Sequence, residues 1–339
     1  MTAQQNSTVV APPEPTRSPV GIERRRHPIV ELAKILVTCL VIAFAVPTVV
    51  HDANLFLVTT AVIYAVFAMG TNVLFGWTGI SSFGQAAFFG TGAYAVGLTK
   101  DHIESPILAV LVAGLAAGVM ALLFAALAGR ITGVEFAMLT LIFGQILWML
   151  TFRMDALHGE NGIPAISRGE LFGQNLFLDD KFWWFAVIVA TVVVLGLAHI
   201  RRSSLGASMN AVRDDPLRAA ALGIDVRLVR ALAFTIAGVV AGVAGGLMAQ
   251  QQGLVTPEIL VWALSGEVIV MCLIGGMRTF WGPAVGAVIL TVVEHYLFDK
   301  LASPDFFVGL ALLVVVLLAP GGLLSLTTVF RRVRRRVAR

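Results

Sequence analysis

Residues 53–99 read ANLFLVTTAVIYAVFAMGTNVLFGWTGISSFGQAAFFGTGAYAVGLT, forty-seven consecutive positions without Asp, Glu, Lys or Arg. About 20 apolar residues carry a helix across the ~30 Å hydrocarbon core of a bilayer. The stretch is too long for one crossing, and Gly76-Trp-Thr-Gly79 supplies the natural break, with one span at 54–75 and another at 80–98. Uncharged runs continue outward at 35–51, 105–129, 136–152, 182–200, 231–257 and 306–330, and the 267–294 region divides at Gly275-Gly276 into 268–277 and 279–293. These add up to an all-α polytopic membrane protein with about ten transmembrane helices. The bulk composition agrees: of 339 residues 58% are apolar and 13% charged, and mean hydropathy is +0.88. A soluble domain carries about 25% charged residues, so a water-soluble enzyme core is excluded, along with disorder and collagen. Two cysteines, Cys39 and Cys272, far apart in apolar stretches, read as small buried hydrophobes rather than a disulfide scaffold.

Charge asymmetry orients the chain. Ten spans with an internal N-terminus place nineteen of the twenty-four Lys and Arg on one face, and leave Lys100, Arg153, Arg168, Lys181 and Lys300 on the other. Positive loops stay cytoplasmic, so both termini are expected in the cytoplasm, and the net charge of +4 reflects insertion topology rather than nucleic-acid binding. The expected organisation is a disordered cytoplasmic tail over 1–28, a transmembrane domain over 29–325 and a basic cytoplasmic tail over 326–339. Within the domain, the longest inner loop is 201–230 and the longest outer loop is 153–181.

Several chemistries have no sequence basis. A P-loop needs Gly directly before Lys, and the four lysines follow Ala33, Thr99, Asp180 and Asp299. None of the six histidines precedes Glu, so a His-Glu-x-x-His zinc helix is missing as well. The chain has no catalytic centre of its own and no cofactor. Uphill transport would draw on an ion gradient or on a partner.

Three features carry positive information. In the 201–230 loop, Asn210-Ala-Val-Arg-Asp-Asp-Pro-Leu-Arg-Ala-Ala-Ala-Leu-Gly223 contains a short helix with both ends marked. Asp215 is its N-cap, Pro216 opens it, Ala219–Ala221 favour it and Gly223 stops it. A loop of this length with a capped helix implies something to dock on. Second, Gly238, Gly242 and Gly246 recur every four residues, as do Gly114/Gly118 and Gly282/Gly286, a spacing that lets helices pack closely in lipid. Third, Glu267 and Glu294-His295 lie in apolar surroundings, where a carboxyl is expensive and is expected to face a cavity or a partner.

The chain resembles the LivM-type permeases of bacterial branched-chain amino acid ABC importers over about 54–325. The matching segments are Leu74–Tyr94, Gly133–Leu141, His158–Ile163, the 210–223 loop, Ile274–Ala287 and Pro320–Leu323, in the family's order. The resemblance implies that the 213–223 helix is a coupling helix seated in a groove of an ATPase subunit, with Arg213, Asp214, Asp215, Ala219, Ala220 and Gly223 as its coupling residues. It also implies a translocation pathway for which Ser82, Gln85, Thr140 and Glu267 are the candidates. The implied partners are two ATP-binding subunits that hold the ATP and Mg, a sister permease in a heterodimer, membrane lipid, and a periplasmic or lipid-anchored solute-binding protein docking on 153–181. The implied location is the bacterial inner membrane.

Gln85 stands where the family usually has His, Ile80 where Gln is common and Arg278 where Gly is usual, so the solute class stays open. The leading reading is an ABC permease for branched-chain or related amino acids. The alternatives are an ABC permease for urea, amides or small carboxylates, or a stand-alone ion-coupled secondary transporter using Glu267 or Glu294.

Overall fold

A computed structural model describes residues 28–49, 54–129, 131–154, 157–171 and 174–298. Eleven α-helices account for most of them: α1 (Pro28–Val49), α2 (Leu55–Asn72), α3 (Gln85–Thr99), α4 (Pro106–Ala128), α5 (Val134–Arg153), α6 (Asp179–Arg202), α7 (Ser204–Asp214), α8 (Pro216–Ala221), α9 (Val226–Gln252), α10 (Trp262–Gly275) and α11 (Gly282–Phe298). Nine of the ten expected spans fall on helices α1–α6 and α9–α11, and the tenth, 306–330, lies outside the described residues. So do the tails at 1–27 and 326–339 and both termini. Among the described residues, five segments are long and apolar enough to cross a membrane: Leu55–Thr78, Pro106–Ala128, Val134–Arg153, Asp179–Arg202 and Val226–Gln252.

Helix α9 is the centre of the bundle, packed most extensively on α4 and α3, then on α2. Its glycines explain the closeness. A side chain on Gly238, Gly242 or Gly246 would run into the Cβ of Ala121, Ala117 or Ala113 respectively, so two four-residue stripes on antiparallel helices fit into one another. Gly114 and Gly118 face Val243 and Val239 in the same seam, and Gly282 and Gly286 bring α11 against the backbone of α10. Water provides no hydrophobic drive between helices in lipid, so backbone proximity and dispersion hold the contact. Phe88, Phe124, Phe136, Phe143 and Phe234 fill the widening space at the α3–α4–α5–α9 junction, with centroids 4.5–6.0 Å apart.

The 153–181 loop is more ordered than a plain loop. Strand β1 (Ile163–Pro164) pairs antiparallel with β4 (Leu254–Val255), just past the end of α9, and β2 (Glu170–Leu171) pairs with β3 (Gln174–Asn175). Arg168 ties the loop down. Its Nε and Nη2 donate to the carbonyls of Gln250 and Gln251 at 3.3 and 2.8 Å, and Nη1 reaches Asp179 at 2.6 Å. A cation on the last carbonyls of α9 is favoured by the helix dipole. The 201–230 loop differs from expectation too: it is mostly helix, because α6 runs on to Arg202, α7 and α8 occupy 204–221, and α9 begins at Val226 rather than near 231.

The glycine seam generates a test by contrast. Gly242→Ala places a methyl against Ala117 and the Ala113 carbonyl, whereas Gly196 on the exposed face of α6 has nothing within 4 Å. Overpacking costs about 1–3 kcal/mol, so thermal unfolding of the purified chain in detergent is expected to shift down for Gly242→Ala and not for Gly196→Ala. Equal shifts for the two would remove the seam from the account.

Candidate functional site

Helices α7 and α8, together termed the lever, meet at a cap. Asp215 accepts from the backbone N–H of Leu217 and Arg218, both at 3.0 Å, and Pro216 occupies the first turn, as its fixed φ suits. The helix stops where Gly223 takes a φ of +84°, a conformation that favours glycine. The sequence reading of this element is matched in detail, but its exposed face is different. Ala219 is only 2% exposed and packs inward, and Arg213 is turned toward the membrane helices. Asp214 and Ala220 face outward, and the outward apolar residues are Leu217 at 85% and Leu222 at 76% exposure.

Arg213 joins the lever to the break between α2 and α3. Helix α2 ends in a π-helical turn over Val73–Thr78, and Gly79 leaves it at φ +72°. The Arg213 Nη1 donates to the Gly76 carbonyl at 2.7 Å, and its aliphatic stem covers Gly79, where a Cβ would come within 2.9 Å of Cγ. Asp214 Oδ1 accepts from Arg213 Nε at 3.0 Å and Nη2 at 2.9 Å. A carbonyl freed by the π-turn is thus satisfied by a charge anchored on the lever. Arg201, at the end of α6, sits 5.6 Å from the ring centres of both Trp77 and Phe280, which binds α6, the π-turn and the α10–α11 connection together. Asn72 adds a bond to the Thr279 carbonyl at 3.4 Å.

Beyond the break the chain runs non-helically through 79–84 and re-enters as α3. Irregular backbone at membrane depth survives only where protein satisfies it. The Phe83 N–H donates to Thr140 Oγ1 at 3.0 Å, the Ala86 N–H to Ser265 Oγ at 2.9 Å, and the Gly84 N–H to Ser82 Oγ at 3.4 Å. Gln85 Nε2 donates to the same Ser82 oxygen at 3.3 Å, and its Oε1 is buried with no partner. Ser82, Gln85 and Thr140 thus gather at the start of α3, but all are at most 1% exposed, so in this conformation they satisfy its backbone and do not line an open channel.

Glu267 does not join them. Two residues beyond Ser265 on α10, it hydrogen-bonds with Glu294 of α11, with Tyr64 of α2 nearby. Ser265, Leu217, Leu222 and the Arg201–Trp77–Phe280 stack were all missed in the sequence. A serine in an apolar run carries no signal of its own. The two leucines did carry one, since apolar residues flanked by Arg218 and Asp225 on a polar segment invite the question of what covers them.

Comparison with known proteins follows the same segments. Residues 54–319 match the family model described as "Branched-chain amino acid transport system / permease component". The chain is 29% identical over 317 residues to the high-affinity branched-chain amino acid transport system permease protein LivM of Escherichia coli K12, covering 86% of this chain and 75% of that one. It is 30% identical over 168 residues to LivH of the same organism, covering 49% and 53%. It is 26% identical over 265 residues to a probable LivH of Methanocaldococcus jannaschii, covering 72% and 81%. No solved structure matches the chain. The family model spans most of the chain, including the π-turn, the lever and the α10–α11 connection, and the protein belongs to the family of branched-chain amino acid transport permease components.

Proposed function

We propose that this chain is one membrane half of an ATP-driven importer that brings branched-chain or related amino acids into the cell by alternating access. It works beside a sister permease in the bacterial inner membrane, with 29–325 as its transmembrane domain and both termini in the cytoplasm. ATP and Mg belong to two separate ATPase subunits, and a solute-binding protein delivers cargo to the 153–181 side. The names of its relatives support the solute class. The observation that carries the mechanism is the lever, with Leu217 and Leu222 bare on its outer face and Arg213 gripping the α2–α3 break at its root.

The physics of transmission follows from these contacts. An ATPase closing on Leu217 and Leu222 displaces α8, and α7 moves with it because the two helices pack on each other. Arg213 then pulls on Gly76 and Gly79, and Arg201 carries the same displacement to Trp77 and Phe280. The non-helical 79–84 segment absorbs the rotation, since a few torsions outside regular structure change more readily than a packed helix. At its far end are the short α3 and the Ser265 contact with α10, an arrangement of interrupted helices that in transporters lies next to the solute path.

Three outcomes are expected. Liposomes holding this chain with its sister permease and both ATPases take up labelled leucine only when the binding protein and ATP are supplied; uptake by this chain alone would overturn the reading. Leu217→Glu with Leu222→Glu leaves the chain folded, because both side chains are already bare, but abolishes co-purification of the ATPase subunits. Arg213→Met retains the ATPases and loses transport. A charged hydrogen bond is worth about 1.5–3 kcal/mol, so uptake falls roughly ten- to hundredfold if the whole amount enters the rate-limiting step. Wild-type uptake by Arg213→Met would detach the lever from the break.

A further inference from the structure

A cavity of about 80 Å³ opens at the root of α9 and is lined by Gly79, Ser81, Gly129, Thr132, Phe136 and Arg230 among others. It is several times larger than a single water requires, ~10–15 Å³ on this measure. Arg230 is the ionisable side chain in the lining among the described residues, and its Nε is sealed from solvent without a hydrogen-bond partner. A guanidinium has no acceptor capacity and cannot give up its charge, so an anion is the chemistry this cavity lacks. The hydroxyls of Ser81 and Thr132 lie in the same lining.

A second void adjoins the first. A groove of about 510 Å³ runs between α4 and α5, bounded only by apolar side chains, including Leu123, Leu127, Leu139, Ile142 and Ile146. Along α4, Phe124 and Ala128 face the groove while their neighbours Ala125 and Gly129 face the cavity. Along α5, Phe136 lines the cavity and Leu139, one turn further on, lines the groove. Leu127 is 86% exposed, and only 28% of the α5 membrane window is buried within the chain. A cation beside a long apolar groove complements a molecule with a negative head and a hydrocarbon tail. The residues around it also lie on the Arg-rich face, where positive loops meet the anionic cytoplasmic leaflet.

We propose that this cavity and groove form a binding site for an anionic phospholipid, with its phosphate on Arg230 and an acyl chain along α4 and α5. The bound lipid bridges the 79–81 segment, the α4–α5 turn and the start of α9, and so steadies the part of the break that the lever moves. The inference does not rest on transport, and its test needs none.

The full chain, purified in detergent, is titrated with phosphatidylglycerol, phosphatidylcholine, glycerol 3-phosphate and inorganic phosphate, and retained adducts are read by native mass spectrometry. Phosphatidylglycerol is expected to bind at least fivefold more tightly than phosphatidylcholine, the factor that about 1 kcal/mol per basic residue supplies. Arg230→Met removes that preference, Arg230→Lys keeps part of it, and Arg227→Met, an exposed charge on the same helix, leaves it unchanged. A phosphatidylglycerol with a photoreactive acyl chain, added to the unaltered protein, labels Leu123, Leu127, Ile142 and Ile146. An unchanged preference in Arg230→Met overturns the site, as does equal labelling of Ile188 and Val192 on the bare face of α6. Displacement of the lipid by equimolar inorganic phosphate or glycerol 3-phosphate makes the occupant a soluble anion, and loss of labelling when the sister permease is co-purified makes the groove a protein interface; either result overturns the lipid.

Discussion

Hydrocarbon offers no hydrogen bonds, and the interruption between α2 and α3 obeys that constraint. From the π-turn at Val73–Thr78 to the start of α3 the helical ladder of backbone bonds is broken; the Gly79 and Ile80 N–H groups turn back to the Leu74 carbonyl, and several other freed groups are met by side chains. Arg213 takes the Gly76 carbonyl, Thr140 takes the Phe83 N–H and Ser265 takes the Ala86 N–H. These partners come from α7, α5 and α10, so the break holds its shape only while three other elements stay in place. A segment satisfied from outside itself is also one that those elements can move.

Around this adjustable segment the bundle is rigid where glycine and alanine let backbones touch. The α4–α9 seam and the α10–α11 contact leave no room for a methyl group, so they resist sliding. Arg168 does the corresponding work on the opposite side, where one guanidinium holds the end of α9, the start of α6 and the outer loop together. The division of labour is physical: close apolar packing for the frame, and charge-assisted hydrogen bonds for the joints.

The pattern of uncharged runs led to the helices because insertion into a bilayer is governed by local composition, which a single segment carries. The Asp215 cap, the Pro216 start and the Gly223 stop were readable for a similar reason, since each acts within a few residues of itself. Family resemblance added an expected coupling role for the 213–223 helix. Less visible was the outer loop, whose strand β1 finds its partner ninety residues downstream at Leu254–Val255, a pairing that local propensity does not encode.

Composition and short-range capping were enough to read the chain as an α-helical membrane protein with a capped helix in the 201–230 segment. Folding alone decided which side of that helix faces out. It turned Arg213 and Ala219 inward, left Leu217 and Leu222 bare, and sent Glu267 to Glu294 instead of to Ser82 and Gln85. Such outcomes depend on which separated residues come to lie within a few ångströms of each other, and contacts such as Arg213 with Gly76, 137 positions apart, leave no periodic trace along the chain.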